Sequence, residues 1–123
     1  MTPSIRRGDL LLVNLDPVLG REIGKTRPAV VVQNDIGNRH SPTLIVVPVT
    51  GWSQMKAEFP FCVEIPPEAG LPKRSLANAA QIRTVDRRWV VEVLGHLPGA
   101  SIEALDRALE ISLGLDGRGN VGL

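Results

Sequence analysis

Between Asp16 and Arg27 the chain sets two glycines, Gly20 and Gly24, among four charged side chains, Arg21, Glu22, Lys25 and Arg27. A tight hairpin needs only about two to five residues, and longer connections between short strands are disproportionately functional. Arg27 sits where this loop meets a β-branched run opened by Pro28. A rigid strand thereby holds one end of the side chain while the guanidinium faces whatever the loop covers. Such a planar fork matches the oxygens of a phosphate or a carboxylate. The competing role is a surface pair with Glu22, which contributes little when exposed. Thr50 ends another apolar run just before Gly51, where a hydroxyl can project beyond a sheet rim. Strand-end threonines are common, so Thr50 gains meaning only in company.

Other motifs fall away on spacing. Gly20–Thr26 (GREIGKT) resembles a phosphate-binding P-loop but has three residues between its glycines where that motif needs four. It also leads into a strand, whereas a phosphate cradle needs a helix N-terminus. Arg7-Gly8-Asp9 reads as a turn into the first strand rather than an adhesion tripeptide. His40 and His96 are 56 residues apart, so no local spacing supports a two-histidine acid–base pair. His40 is expected in a polar loop and His96 near the turn at Pro98-Gly99. Cys62 is alone, which excludes an internal disulfide and, with two distant histidines, a structural zinc site.

The elements that must position these groups read as mainly β. With 123 residues, 43% hydrophobic and 22% charged, the chain makes one domain able to bury a core without disulfide or metal. That domain is expected over residues 1–114, with 115–123 as a flexible, glycine-rich tail. Strands are expected at Leu10–Leu15, Ala29–Gln33, Thr43–Val49, Phe59–Ile65, Ser75–Val85 and Trp89–Leu94. Pro28 would open the second strand, and Pro48 marks the third as an edge or as close to its end. Short strands at such intervals point to a compact antiparallel barrel or curled sheet. One helix is signalled by Ser101 as N-cap, Glu103 in the first turn, Ile102, Leu105, Leu109 and Leu113 on one face, and Gly114 as the stop. No apolar run approaches the roughly 20 residues of a membrane span. The N-terminus shows no apolar stretch ahead of a cleavage site, so a cytoplasmic location without membrane association is expected.

Net charge is only +1, but its parts differ along the chain. Lys73, Arg74, Arg83, Arg87 and Arg88 face a single acid, Asp86, within 73–88, whereas residues 100–123 hold four acids against two arginines. Arginine outnumbers lysine 11 to 3. Composition allows either a solvated arginine face or a surface for an anionic partner, nucleic acid or acidic peptide.

Arg7-Gly8-Asp9, Gly20 to Glu22, Arg27–Asp35 (RPAVVVQND), Val47–Thr50 (VPVT), Ser75 and Gln81–Asp86 (QIRTVD) occur in an order that resembles the MazF/PemK family of toxins. The resemblance covers about residues 6–113. It implies an SH3-like small barrel with a C-terminal helix, shared with CcdB-like toxins, that forms a homodimer. It further implies a sequence-selective endoribonuclease that cuts single-stranded messenger RNA without a metal or other cofactor. Such a toxin is restrained by a cognate antitoxin, whose acidic, disordered C-terminal segment would suit an arginine-lined surface.

In that family the arginine and threonine matching Arg27 and Thr50 carry the reaction. Glu22, Ser75 and Gln81 match positions of RNA contact or support, and Arg21, Lys25, Gly51, Trp52 and Arg83 complete the expected binding surface. Only four aromatics are present, and Trp52 is the one placed to stack a base, or else to pack on its own loop. Arg74 departs from the family, where an acid often stands before the position of Ser75. The implied chemistry is attack of a ribose 2′-hydroxyl on the adjacent phosphate, leaving a 2′,3′-cyclic phosphate and a 5′-hydroxyl. Arg27 would stabilise charge on the phosphoryl oxygens, and Thr50 would bond a phosphate or leaving oxygen. Arginine as a class, with a pKa above about 12, is a poor base. Glu22 is the more ordinary base, and the assignment stays open here. The alternatives are a non-enzymatic CcdB-like toxin that poisons DNA gyrase and a member that binds RNA or antitoxin without cutting.

Overall fold

The computed structural model describes residues 4–117, and these form an antiparallel sheet with a helix packed against it. The strands are β1 (Asp9–Asn14), β2 (Thr26–Val31), β3 (Thr43–Gly51), β4 (Cys62–Ile65), β5 (Ser75–Asn78), β6 (Arg83–Asp86) and β7 (Val90–His96). Three helices accompany them: α1 (Asp35–His40), α2 (Gln54–Ala57) and α3 (Gly99–Ser112). Strand order is β4-β5-β3-β2-β1-β7, with β6 on β3 beside β5. The expected barrel is therefore a curled sheet rather than a hydrogen-bonded ring, because among the described residues no pairing joins β4 or β6 to β7.

Successive side chains of a strand point to opposite faces. Leu10 and Val30 enter one apolar cluster, while Leu11, Val13, Ala29 and Val31 enter another. β1 to β3 are thus covered on both faces, which is why they read as unbroken apolar runs. Leu105, Ala108 and Leu109 of α3 cover the first cluster. Ile5, Val85 and the loop residue Ile23 close over the second.

Several boundaries differ from expectation for local reasons. The strand expected over Ser75–Val85 is two, because the Asn78 side chain accepts the Ala80 N–H and starts a 3₁₀ turn at Ala79–Gln81. β5 then pairs with the end of β3 and β6 with its beginning. This division explains Pro48 in a central strand. On that flank β6 reaches only to Val46 and β5 begins at Val49, so no partner there requires an N–H from Pro48. β2 begins at Thr26, two residues before Pro28. β4 begins at Cys62, since Phe59 and Phe61 stack their rings at 5.0 Å in the preceding turn. Trp89 lies in a 3₁₀ turn capped by Asp86, so β7 starts at Val90.

Two short helices were not expected. Asn34 caps α1 through the Gly37 N–H, so His40 ends a helix rather than lying in a loop. Ser53 caps α2 through the Lys56 N–H. α3 starts at Gly99 with Pro98 as its cap residue, which places Ser101 inside the first turn rather than at the N-cap. At its other end Gly114 adopts φ 72°, and the N–H groups of Gly114 and Leu115 return to the carbonyls of Ile111 and Glu110. Leu113 is 53% exposed, and the buried face of α3 is Leu105, Ala108 and Leu109. The Arg7-Gly8-Asp9 turn is fixed by Gly8 at φ 94°, where a Cβ would lie 2.6 Å from the Ile102 side chain. Asp9 there meets His96 Nδ1 at 2.7 Å. Of the expected flexible tail, 118–123 lies outside the described residues, while 115–117 continues in turns after α3.

Candidate active site

β2 and β3 pair Val31 with Val46, Val30 with Val47 and Ala29 with Pro48. The pairing ends at Ala29 and Pro48; two residues further along each strand stand Arg27 on β2 and Thr50 on β3, where β3 has turned to pair Val49–Gly51 with β5. Ala29, Val31 and Val46 belong to the second cluster, and Arg27 and Thr50 keep their alternation. Both side chains therefore lie on that face, just past the end of its core. Arg27 is half-buried and donates from Nε to the Gly24 carbonyl at 3.0 Å. No other hydrogen bond engages its two η nitrogens among the described residues, and no ion pair joins it to Glu22. The guanidinium is anchored at one edge and open at the other. Thr50 is half-buried, and its hydroxyl has no protein partner among the described residues. At Gly51 a Cβ would meet nothing within 4 Å, so the surface beside Thr50 is open.

The loop is held at both ends and in its middle. Leu15 N–H donates to the Lys25 carbonyl and Lys25 N–H to Asp16 Oδ1, each at 2.8 Å. Lys25 takes φ 66°, an uncommon conformation for a residue with a Cβ, and its side chain is exposed. Glu22 accepts the Gly20 N–H at 2.8 Å, and that bond holds its carboxyl below the ordinary glutamate value. Gln81 Oε1 accepts the Ile23 N–H at 2.7 Å, while Arg83 Nη1 approaches the Ile23 carbonyl at 3.5 Å. Gln81 and Arg83 thus clasp the loop. Between them and the loop lies a cleft of about 610 Å³ walled by Arg21, Glu22, Gln81 and Arg83 over Val18 and Leu19. Arg27 and Thr50 are not part of its lining.

Trp52 is half-buried, its backbone N–H donating to the Arg74 carbonyl at 3.1 Å. The Arg74 guanidinium covers one ring face, 3.9 Å from the centroid. Arg74 in turn grips Glu64 with Nε at 2.7 Å and Nη2 at 3.0 Å. Ser75 lies opposite Gly51 and is buried, its hydroxyl donating to the Lys73 carbonyl at 2.8 Å. The basic stretch of residues 73–88 is less available than its composition implies. Arg87 donates to the Asn38 and Ser41 carbonyls that end α1, and Arg88 pairs with Asp86 at 2.8 Å.

The fold therefore puts Arg27 near the start of β2 and Thr50 and Gly51 at the end of β3, the strand paired with it, and sets Arg21, Glu22, Lys25, Gln81 and Arg83 on or against the adjoining loop. Ser75 is turned into the backbone behind them. The partners missed from sequence are the Gly24 carbonyl, which anchors Arg27, and Glu64, which fixes Arg74. Neither carries a local signal, since each contact depends on folding. Among the described residues no three His, Cys, Asp or Glu side chains gather as metal ligands would.

Comparison with known proteins identifies the family. Residues 6–113 match the family described as the PemK-like, MazF-like toxin of type II toxin–antitoxin systems. The chain is 43% identical over 112 residues to Endoribonuclease EndoA of Bacillus subtilis, covering 90% of this chain and 96% of that one. It superposes on MazF from Deinococcus radiodurans with a TM-score of 0.78 at 27% identity, covering 91% and 98% of the two chains. It also superposes on a mycobacterial endoribonuclease solved with its cognate antitoxin, with a TM-score of 0.72 at 25% identity, covering 90% and 96%. With this match spanning nearly the whole described fold, the chain belongs to the PemK-like, MazF-like toxin family of type II toxin–antitoxin systems.

Proposed function

We propose that this protein is a sequence-selective endoribonuclease toxin that cleaves single-stranded RNA, messenger RNA above all, with Arg27 and Thr50 at the reacting phosphate. The observation that supports the reading is that paired strands β2 and β3 each carry, two residues past their last pair and on the same alternation, a guanidinium whose η nitrogens have no partner among the described residues and a hydroxyl with none. The ribose 2′-oxygen attacks the neighbouring phosphorus and the P–O5′ bond breaks. The products are a 2′,3′-cyclic phosphate and a 5′-hydroxyl, with the 2′ proton lost and a proton gained by the leaving oxygen. Arg27 stabilises charge on the phosphoryl oxygens, and Thr50 donates to a phosphoryl or leaving oxygen. Orientation of the strand supplies much of the remaining rate, because the nucleophile is intramolecular. The step uses no metal.

Arg21 and Lys25, exposed on the loop, and Gly51, with open space beside it, line the path of the RNA. Gln81 and Arg83 support that path by holding Ile23. Glu22 is kept ionised by the Gly20 N–H and serves as the carboxylate of the loop. The protein acts as a homodimer. It is inhibited by a cognate antitoxin, a reading supported by the mycobacterial relative solved with its own antitoxin. The deciding experiment incubates a long single-stranded RNA with wild type and Arg27→Ala in EDTA and maps product ends. Discrete cuts by wild type alone, leaving 5′-hydroxyl ends, are expected. Intact RNA with folded wild type would remove the nuclease reading.

A further inference from the structure

The β3–β5–β4 register aligns three residues in one cross-strand row: Thr50 opposite Leu76, and Leu76 opposite Glu64. Directly opposed residues share a face, so Glu64 stands on the same side of the sheet as Thr50 and Arg27. The next row holds Trp52 and Arg74, joined by the Trp52 N–H to Arg74 carbonyl bond. With strands about 4.8 Å apart, Glu64 lies about 10 Å from Thr50, and the Arg74 head is held between Glu64 and the Trp52 ring. That is the neighbourhood of a nucleotide flanking the reacting phosphate.

Arg74 is fixed there although it is exposed. The Trp52 indole lies against one face of the guanidinium at 3.9 Å, and Glu64 binds its Nε and Nη2 edge at 2.7 and 3.0 Å. A guanidinium carries five N–H donors in one plane. Glu64 uses two of them, which leaves the Nη1 pair and one Nη2 hydrogen directed outward in a set orientation. The carboxylate also offsets the positive charge, so attraction for a phosphate is weakened while the donor pattern is kept. Beside the pair runs a groove of about 320 Å³ with Pro67, Leu71 and Pro72 as its apolar wall, open to a flat heterocycle.

We infer that Arg74, braced by Trp52 and Glu64, is a specificity-determining residue that reads the base of a nucleotide next to the cleavage site. Its paired donors fit a base edge with two adjacent acceptors, of which the O6/N7 edge of guanine is the natural example. A base read in this way lies in the guanidinium plane, so the outer face stays free for a neighbouring splayed base to stack on. The indole serves as the platform beneath the arginine. This rests on the nuclease reading above.

The test uses the full-length protein and RNA oligomers carrying a 2′-deoxy nucleotide at the mapped cut, which blocks the reaction. Each flanking position is varied through the four bases, and Kd is measured for wild type, Arg74→Lys and Arg74→Ala. Wild type should favour guanine at one flanking position by ~10-fold or more, the discrimination of a bidentate arginine. Arg74→Lys, which keeps the charge but loses the planar fork, should bring that ratio close to one, as should Arg74→Ala. Glu64→Gln should lower the ratio and steepen the dependence of binding on salt, because the uncovered charge then seeks phosphate. An unchanged ratio in Arg74→Lys, with cleavage still dependent on Arg27, would overturn this inference alone. A wild type that neither binds nor cuts RNA would overturn the nuclease reading and this inference together.

Discussion

Gln81 accepts the backbone N–H of Ile23 at 2.7 Å, although the two residues are 58 positions apart. The bond fixes the middle of the 16–25 loop to the turn between β5 and β6, and Ile23 itself packs on the second cluster. A part-buried hydrogen bond is worth about 0.5–1.5 kcal/mol, or roughly 2- to 12-fold in an equilibrium. Gln81→Ala should therefore leave the fold unchanged by circular dichroism, speed proteolytic nicking between residues 16 and 25, and lower RNA cleavage by roughly that factor. Identical nicking kinetics would show that the loop does not depend on this bond.

Arg27 and Thr50 sit at strand ends and contribute little to either core. Arg27→Ala should lower the cleavage rate by about 100-fold or more, the usual cost of removing a donor to developing charge. Thr50→Ala should lose most of the rate and Thr50→Ser should recover it, since only the hydroxyl is required. Thermal midpoints of all three variants should stay close to wild type. Retained full activity in Arg27→Ala would take that residue out of the mechanism.

Arg27→Lys separates charge from anchorage. A lysine keeps the positive charge but has no Nε–H edge for the Gly24 carbonyl, which Arg27 holds at 3.0 Å. It should bind RNA with a similar salt slope and cut far more slowly. A cutting rate equal to wild type would mean that charge alone suffices.

Asp86 gives a pH prediction. Side-chain and backbone hydrogen bonds from Arg88 hold its carboxyl down from 3.8 to about 2. A folded pKa below the unfolded one contributes stability above the unfolded value, lost as pH falls through the folded one. The contribution is therefore complete above pH 3.8 and fades toward pH 2. Carbon-detected NMR titration should find Asp86 near 2, and Arg88→Ala should move it upward. An ordinary aspartate titration in wild type would show that the pair does not persist in solution.

Salt and chelation probe the binding surface and the chemistry separately. RNA affinity should fall as salt rises, through counterion release at the phosphates that Arg21 and Lys25 are proposed to contact. Because Arg74, Arg87 and Arg88 already have protein partners, the slope should be shallower than the arginine count implies. Activity should persist in EDTA, and its loss there would reveal a metal requirement.

The β-rich class, the C-terminal helix and the ordered motifs that mark Arg27 and Thr50 were legible in the chain before folding. These are properties of runs and spacing, and β1 to β3 declare themselves because both of their faces are buried. Turn chemistry was only partly legible. Asn34, Ser53 and Asn78 cap short elements through bonds to N–H groups two or three residues on, and such residues are as common in plain loops. How β3 is shared between β5 and β6, and why Pro48 is tolerated in its centre, follow only from the folded sheet. Folding alone set Gln81 on Ile23 and Glu64 on Arg74 over Trp52. Strand register follows from which faces bury apolar surface across the whole sheet. No local window contains that sum, so contacts that depend on register emerge only when the chain is folded.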